Sequence, residues 1–257
     1  MLSRTLTIAA VLVCGFAQAG TVLETVNRDL GGKQAETVIT TYAQDGQLRV
    51  ETGDRDGFTL FKDNALYIIN GKDKNYVLMD RAALKKMADA ISPAMKMLAQ
   101  MPPEQRAQME KMMGKNMPGM QASAKKEIRK TSRTGEAAGH SCSYVEVLKN
   151  DVLEDEMCIV PPGTIKGGDE LMAAAQKMST MLQEALQDLD VPQLKQMLDD
   201  QTAMYTKLGG IPVVSRHFSG GKPVSETTLR SNRTESIPAT TFSVPDGYTR
   251  KDLLQGR

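Results

Sequence analysis

The chain has no tryptophan, and aromatic side chains make up only 4% of its 257 residues. Binders of sugars and of single-stranded nucleic acid rely on aromatic faces for stacking, and this sequence offers few. Histidine is scarcer still, with His140 and His217 alone. Their separation gives no His-Glu-x-x-His spacing, so a zinc site would need several distant carboxylates. Lys and Arg number 32 against 31 Asp and Glu, and no basic block stands out. A balanced chain lacks the phosphate-neutralising surface of a nucleic-acid binder. After the first twenty residues no apolar run is long enough to span a bilayer as a helix.

What is present begins with those first residues. Arg4 supplies a short positive start, Leu6 to Phe16 is almost unbroken apolar sequence, and Ala17-Gln18-Ala19 is a small-x-small site. This pattern predicts a signal peptide over residues 1–19, cut before Gly20, and hence export to a bacterial periplasm. The apolar run is too short for a permanent anchor. Cys14 raises a lipoprotein alternative, but Val13 stands where that processing wants a small residue. The remainder is long enough for one large domain or two small ones.

Cys142 and Cys158 survive such processing, and an even count in an oxidising compartment predicts one disulfide. Residues 143–149 alternate in polarity like a half-buried strand, Asn150-Asp151 forms a turn, and 157–160 reads as the partner strand. The bridge is thus expected to pin a hairpin. A redox-active role would call for a Cys-x-x-Cys pair at a helix start, which is missing.

Residues 20–79 are rich in Thr and Val and broken by Gly-Gly, Asp-Gly, Asp63-Asn64 and Asn70-Gly71. They predict short antiparallel strands at 21–28, 35–42, 47–51, 58–61, 66–69 and 76–79. From Asp80 the period changes: Leu84, Met87, Ala88, Ile91, Met95 and Leu98 recur at helical spacing. Ser92-Pro93 and Pro102-Pro103 are expected to end and restart this helix, which runs to about 118. Strands resume near Ala124, a second helical block covers 168–208, and strands return from Ile211 to Val244 with a turn near Ile237-Pro238. The fold class is α+β, a curved antiparallel sheet (a half-barrel) with Met-rich helices covering its concave face.

Several of these segments resemble an uncharacterised family of exported bacterial proteins. They are Tyr42-Ala-Gln-Asp-Gly-Gln-Leu-Arg-Val-Glu, Tyr76-Val-Leu-Met-Asp, Met101-Pro-Pro-Glu-Gln-Arg-Ala-Gln-Met-Glu, the hairpin cysteines, Ile211-Pro-Val and Phe242-Ser-Val-Pro-Asp-Gly-Tyr248. That family is similar to the periplasmic lipoprotein carriers LolA and LolB. The resemblance implies a single LolA-like domain over 20–257 with helical insertions, and a cavity for acyl chains. The implied cavity wall is Phe58, Leu60, Tyr67, Ile69 and Phe242, with Met109, Met112 and Met113 on the helices as plug or lid. The expected partner is an apolar ligand, a lipid or lipoprotein of the envelope, and no cofactor is implied.

Methionine is the unusual component, at 17 residues. It can fill an ordinary core, form an adaptable lid over an apolar cavity, or bind Cu(I) through soft thioethers at Met109, Met112, Met113, Met117 and Met120. Core filling ranks first and copper third, because neither Cys nor His lies in that run. A protein-interaction module that holds no small ligand is a further alternative. Gly139-His-Ser-Cys-Ser143 comes close to a nucleophile elbow, but the final Gly is replaced, a strand follows where a helix is needed, and Cys142 is expected to be bridged. Asp54-Arg-Asp56-Gly57 lacks the later ligands of a calcium loop and reads as a turn. A non-catalytic binding protein is the expectation.

Overall fold

The computed structural model describes residues 19–32, 34–53, 56–102, 105, 126–187 and 207–252. The first six strands form a meander: β1 (Gly20–Asp29), β2 (Thr37–Gln44), β3 (Gln47–Thr52), β4 (Gly57–Lys62), β5 (Ala65–Asn70) and β6 (Asn75–Met79). Helix α1 (Arg81–Gln100) follows, then strands β7 (Lys126–Ala137), β8 (His140–Lys149) and β9 (Val152–Val160), and helix α2 (Gly168–Gln187). Strands β10 (Ile211–Ser219), β11 (Lys222–Glu235) and β12 (Thr249–Lys251) close the described chain. All twelve strands belong to one open, curved sheet in the order β12-β6-β5-β4-β3-β2-β1-β11-β10-β9-β8-β7. Its ends do not meet, so it is not a closed barrel. Every neighbouring pair is antiparallel except β12 with β6.

The turns explain why the meander forms. Asp45-Gly46, Asp63-Asn64, Ala138-Gly139, Asn150-Asp151 and Gly220-Gly221 all have positive φ at both central residues. Two such residues give the turn whose twist matches a pair of antiparallel strands. Gly, Asn and Asp tolerate that backbone region best, which is why these dipeptides are readable as turns. Asn70-Gly71 opens a longer connection instead, ending at Lys74.

Side-chain alternation sorts β1–β6 into two apolar faces. Ala43, Leu48, Phe61, Leu66 and Met79 lie directly opposite one another across β2 to β6, and residues so paired point to the same side. They pack with Leu84 of α1 and with Leu171, Ala174, Met181 and Ala185 of α2. The other face carries Val22, Tyr42, Phe58, Leu60 and Tyr67, packed with Ile237 and Phe242. A fully buried leucine such as Leu60 contributes roughly 1.5–3 kcal/mol.

Helix α1 starts where the period changes, and Asp80 accepts from the Ala83 amide at 2.7 Å as an N-cap. The expected break at Ser92-Pro93 does not occur: α1 runs through Pro93 to Gln100. Proline removes one amide donor, but Pro93 is on the exposed side, where water can serve the carbonyl left open. Helix α2 begins after Gly167, at φ 70°. A Cβ on Gly167 would collide with the Thr21 hydroxyl, which itself donates to the Gly167 carbonyl.

The end of the chain departs from the predicted strands. After Glu235 it leaves the sheet, buries Ile237, makes a short 3₁₀ turn at Ala239–Phe242 and then adds β12 beside β6. Residues 236–248 are thus a strap laid over one face, and β12 then carries the chain to the sheet edge. The strap's Thr241 carbonyl accepts from Arg49 at 2.8 Å, and Asp252 pairs with Lys86 of α1 at 2.6 Å.

Candidate functional site

Among the described residues, one row of side chains on the helix-bearing face is not packed under α1 or α2; Ile68 in it is exposed and the other four are half-buried. Thr41, Val50, Thr59, Ile68 and Val77 stand opposite one another across β2 to β6, one row beyond the residues under the helices. Ile68 is 44% exposed and stands in one row with the half-buried Val50 and Val77. Around it an open depression of about 520 Å³ is lined by Val50, Thr52, Gly57, Thr59 and Ile68, together with Asp56, Asn70 and Lys72. Its lining mixes the apolar Val50 and Ile68 and the threonines with polar and charged groups. This arrangement suits the burial of a hydrocarbon segment beside a polar end.

The five expected wall residues divide in an informative way. Phe58 and Ile69 border this depression. Phe58, Leu60, Tyr67 and Phe242 come together in the cluster beneath the strap, and register puts Ile69 opposite Phe58 on that same side. The strap face is therefore closed by the protein's own chain, and α1 and α2 lie against the opposite face. Arg49 fastens the strap: its guanidinium lies 3.4 Å from the centre of the Phe58 ring and pairs with Glu51. Burial pushes the Tyr42 and Tyr67 hydroxyls above the ordinary tyrosine range.

The sequence does not single out the row of Ile68. Phe58-Thr-Leu-Phe and Leu66-Tyr-Ile-Ile are apolar on both faces, so strand alternation alone does not say which face is closed. The bulkier set draws attention, yet the signal of an open face lies in the threonines Thr41 and Thr59 within it.

Met109, Met112, Met113, Met117 and Met120, expected as a lid or as Cu(I) ligands, lie outside the described residues. Of the described methionines, Met79, Met87, Met178 and Met181 pack on the α1–α2 core. Met172 and Met157 fill two smaller clusters, and Met97 is 65% exposed. Among the described residues no group of three or more His, Cys, Asp or Glu is placed to hold a metal ion, and no helix is long and apolar enough to cross a membrane.

The disulfide joins Cys142 of β8 to Cys158 of β9 with Cα atoms 5.4 Å apart. Cys158 lies opposite Tyr144, so the bridge runs diagonally across the hairpin. Both half-cystines are buried with Val160, Ile165, Val213 and Leu229, a bond of the kind kept in oxidising compartments and consistent with export. His140 and Ser141 open β8 directly after the Ala138-Gly139 turn, with no helix behind them. His217 faces Asp155 at 2.8 Å across the β9–β10 pair.

A ladder of charge crosses the other half of the sheet. Arg133 bridges Glu146 and Glu156, and Arg216 bridges Glu156 and Glu226. On β1, bonds from Arg233 and Ser231 hold the Glu24 carboxyl below the usual carboxylate range. These pairs are partly exposed and act as cross-strand ties.

No protein-family model matches the chain, and no curated protein matches it. Solved structures resemble it loosely. An uncharacterised conserved protein from Thermus thermophilus aligns over 90% of this chain and 89% of its own, at 8% identity and a TM-score of 0.43. PNGF-II aligns over 92% of this chain but 32% of its own, at 11% identity and a TM-score of 0.41. The MucA/MucB complex of Pseudomonas aeruginosa aligns over 90% of this chain and 56% of the matched chain, at 12% identity and a TM-score of 0.37. Likeness at this level carries no argument about what the chain does.

Proposed function

We propose that this protein is a non-catalytic, exported binding protein for an apolar ligand, the acyl part of an envelope lipid or acylated component. The observation that supports it is the open depression on the helix-bearing face, lined in part by Val50 and Ile68. An isoleucine held 44% exposed on a strand between β4 and β6 is a stability cost that an apolar ligand would relieve, at about 25 cal/mol per Å² covered. The resemblance to the LolA and LolB carriers points to the same ligand class. Met109, Met112 and Met113 belong to this proposal as the lid.

The test is native mass spectrometry of the protein released gently from its own host. A bound mass matching a phospholipid or acylated fragment, absent from the Ile68→Asp variant, is the expected result. Ile68 is exposed, so that variant retains the fold, which circular dichroism checks. A bare protein mass, or a lipid adduct that Ile68→Asp leaves intact, would refute the depression as the site.

A further inference from the structure

We infer that a second site, on the strap-bearing face, binds an oxyanion through Arg230. The ladder between β1 and β11 is interrupted once: Glu24 faces Ser231 and Thr25 faces Leu229, so Arg230 has no partner across the strands. Such a bulge inside a sheet re-aims a side chain at the expense of a regular ladder. This one sits in the middle of twelve strands, where strict pairing would be the stable default.

The re-aimed residue lines a cleft of about 300 Å³ together with Val26, Arg28, Glu36, Thr228 and Leu229. Val26 and Arg28 alternate with Val22 along β1 and so share the face that the strap covers nearer the sheet edge. Arg28 is neutralised by Glu36 at 2.7 Å. The carboxylate of Glu24, on the adjacent strand, is already held by Arg233 and Ser231, each at 3.1 Å. Arg230 is exposed; its charge is felt by the Glu24 carboxyl, but among the described residues no carboxylate forms a contact ion pair with it. A planar guanidinium outside any contact ion pair among the described residues can take two oxygens of a carboxylate or phosphate. Beside it, Val26 and Thr228, opposite one another in the ladder, offer a short apolar wall.

The shared chemistry is an oxyanion, which arrives either free or as the headgroup of an amphiphile. The site is independent of the Ile68 depression, on the opposite face of the sheet. The purified full-length protein is titrated with octyl phosphate below its micelle concentration, with inorganic phosphate and with neutral octyl glucoside, followed by isothermal titration calorimetry in every variant and by the NMR signal of the Arg230 Nε–H in the wild type. Octyl phosphate should bind, Arg230→Met should weaken it about tenfold or more, and Glu36→Gln should tighten it by freeing Arg28. Inorganic phosphate binding as well as octyl phosphate supports a free anion; weaker binding supports an amphiphile headgroup. The inference fails if octyl glucoside binds equally, if no probe binds, or if affinity survives Arg230→Met. Loss of octyl phosphate only in Ile68→Asp would place it in the other depression and overturn this site.

Discussion

Replacing Cys142 and Cys158 together by alanine tests how the β8–β9 hairpin is secured. The bridge spans 16 residues of chain, and a closed loop of that length removes about 10 cal/mol/K of entropy from the unfolded state, or about 3 kcal/mol at room temperature. The two side chains are 5% and 1% exposed in an apolar cluster, so alanine loses little packing and leaves no polar atom stranded. For a chain of this size each kcal/mol moves Tm by about 2–4 °C, giving an expected fall of about 6–12 °C by calorimetry. Serine at the same positions should cost about 1–3 kcal/mol more for each hydroxyl that enters the cluster of Val160, Ile165 and Val213 without an acceptor. Reducing the wild-type protein should reproduce the alanine result. A double-alanine variant melting within about 2 °C of the oxidised parent would refute the argument, since the bridge would then constrain nothing that the hairpin ladder had not already fixed.

Phe242→Ala should destabilise the protein by about 3–5 kcal/mol, since that ring is 4% exposed against Leu60 and Tyr67; urea unfolding checks this, and a cost below about 1 kcal/mol would show that the strap is merely draped. Glu24→Gln tests electrostatics. Hydrogen bonding by Arg233 lowers the folded pKa of Glu24, so its contribution is present above the ordinary carboxylate range and lost as pH falls through the lowered value. The variant should be less stable than wild type at neutral pH, the difference shrinking as pH falls through the lowered Glu24 value until the two converge in acid. A constant difference at all pH values, measured by thermal melts, would contradict that origin.

Much of the fold is legible in local signals. The dipeptides Asp63-Asn64, Asn150-Asp151 and Gly220-Gly221 announce turns because few residues accept positive φ twice in succession. Asp80 marks the start of α1 because a carboxylate can accept from the open first-turn amides. Pro93 misleads, because a helix tolerates one missing donor when the residue faces water. The strap is hidden for a different reason. Ile237-Pro238 looks like a local turn, and only Leu60 and Tyr42, nearly two hundred residues earlier, explain why that isoleucine is buried. The candidate depression is hidden likewise: which face of β4 and β5 stays open is decided by where residues 236–248 and the two helices settle, and no strand encodes that by itself.

The place of β1 in the sheet has a temporal consequence. Its strand is flanked by β2, a few residues away, and by β11, where Asn27 bonds Thr227 at a separation of 200 residues. Synthesised from the N-terminus, the β1–β6 meander can assemble early, but it must carry two bare edges. One waits for β11 and the other for β12, the last described strand of all. A half-made chain is therefore a sticky one, with hydrogen-bonding groups open on both flanks, and its safe passage depends on being held apart from its neighbours until the final residues arrive. Cutting the protein anywhere before Lys222 should then yield aggregates rather than a smaller soluble piece, a dependence on completeness that the local hairpins conceal.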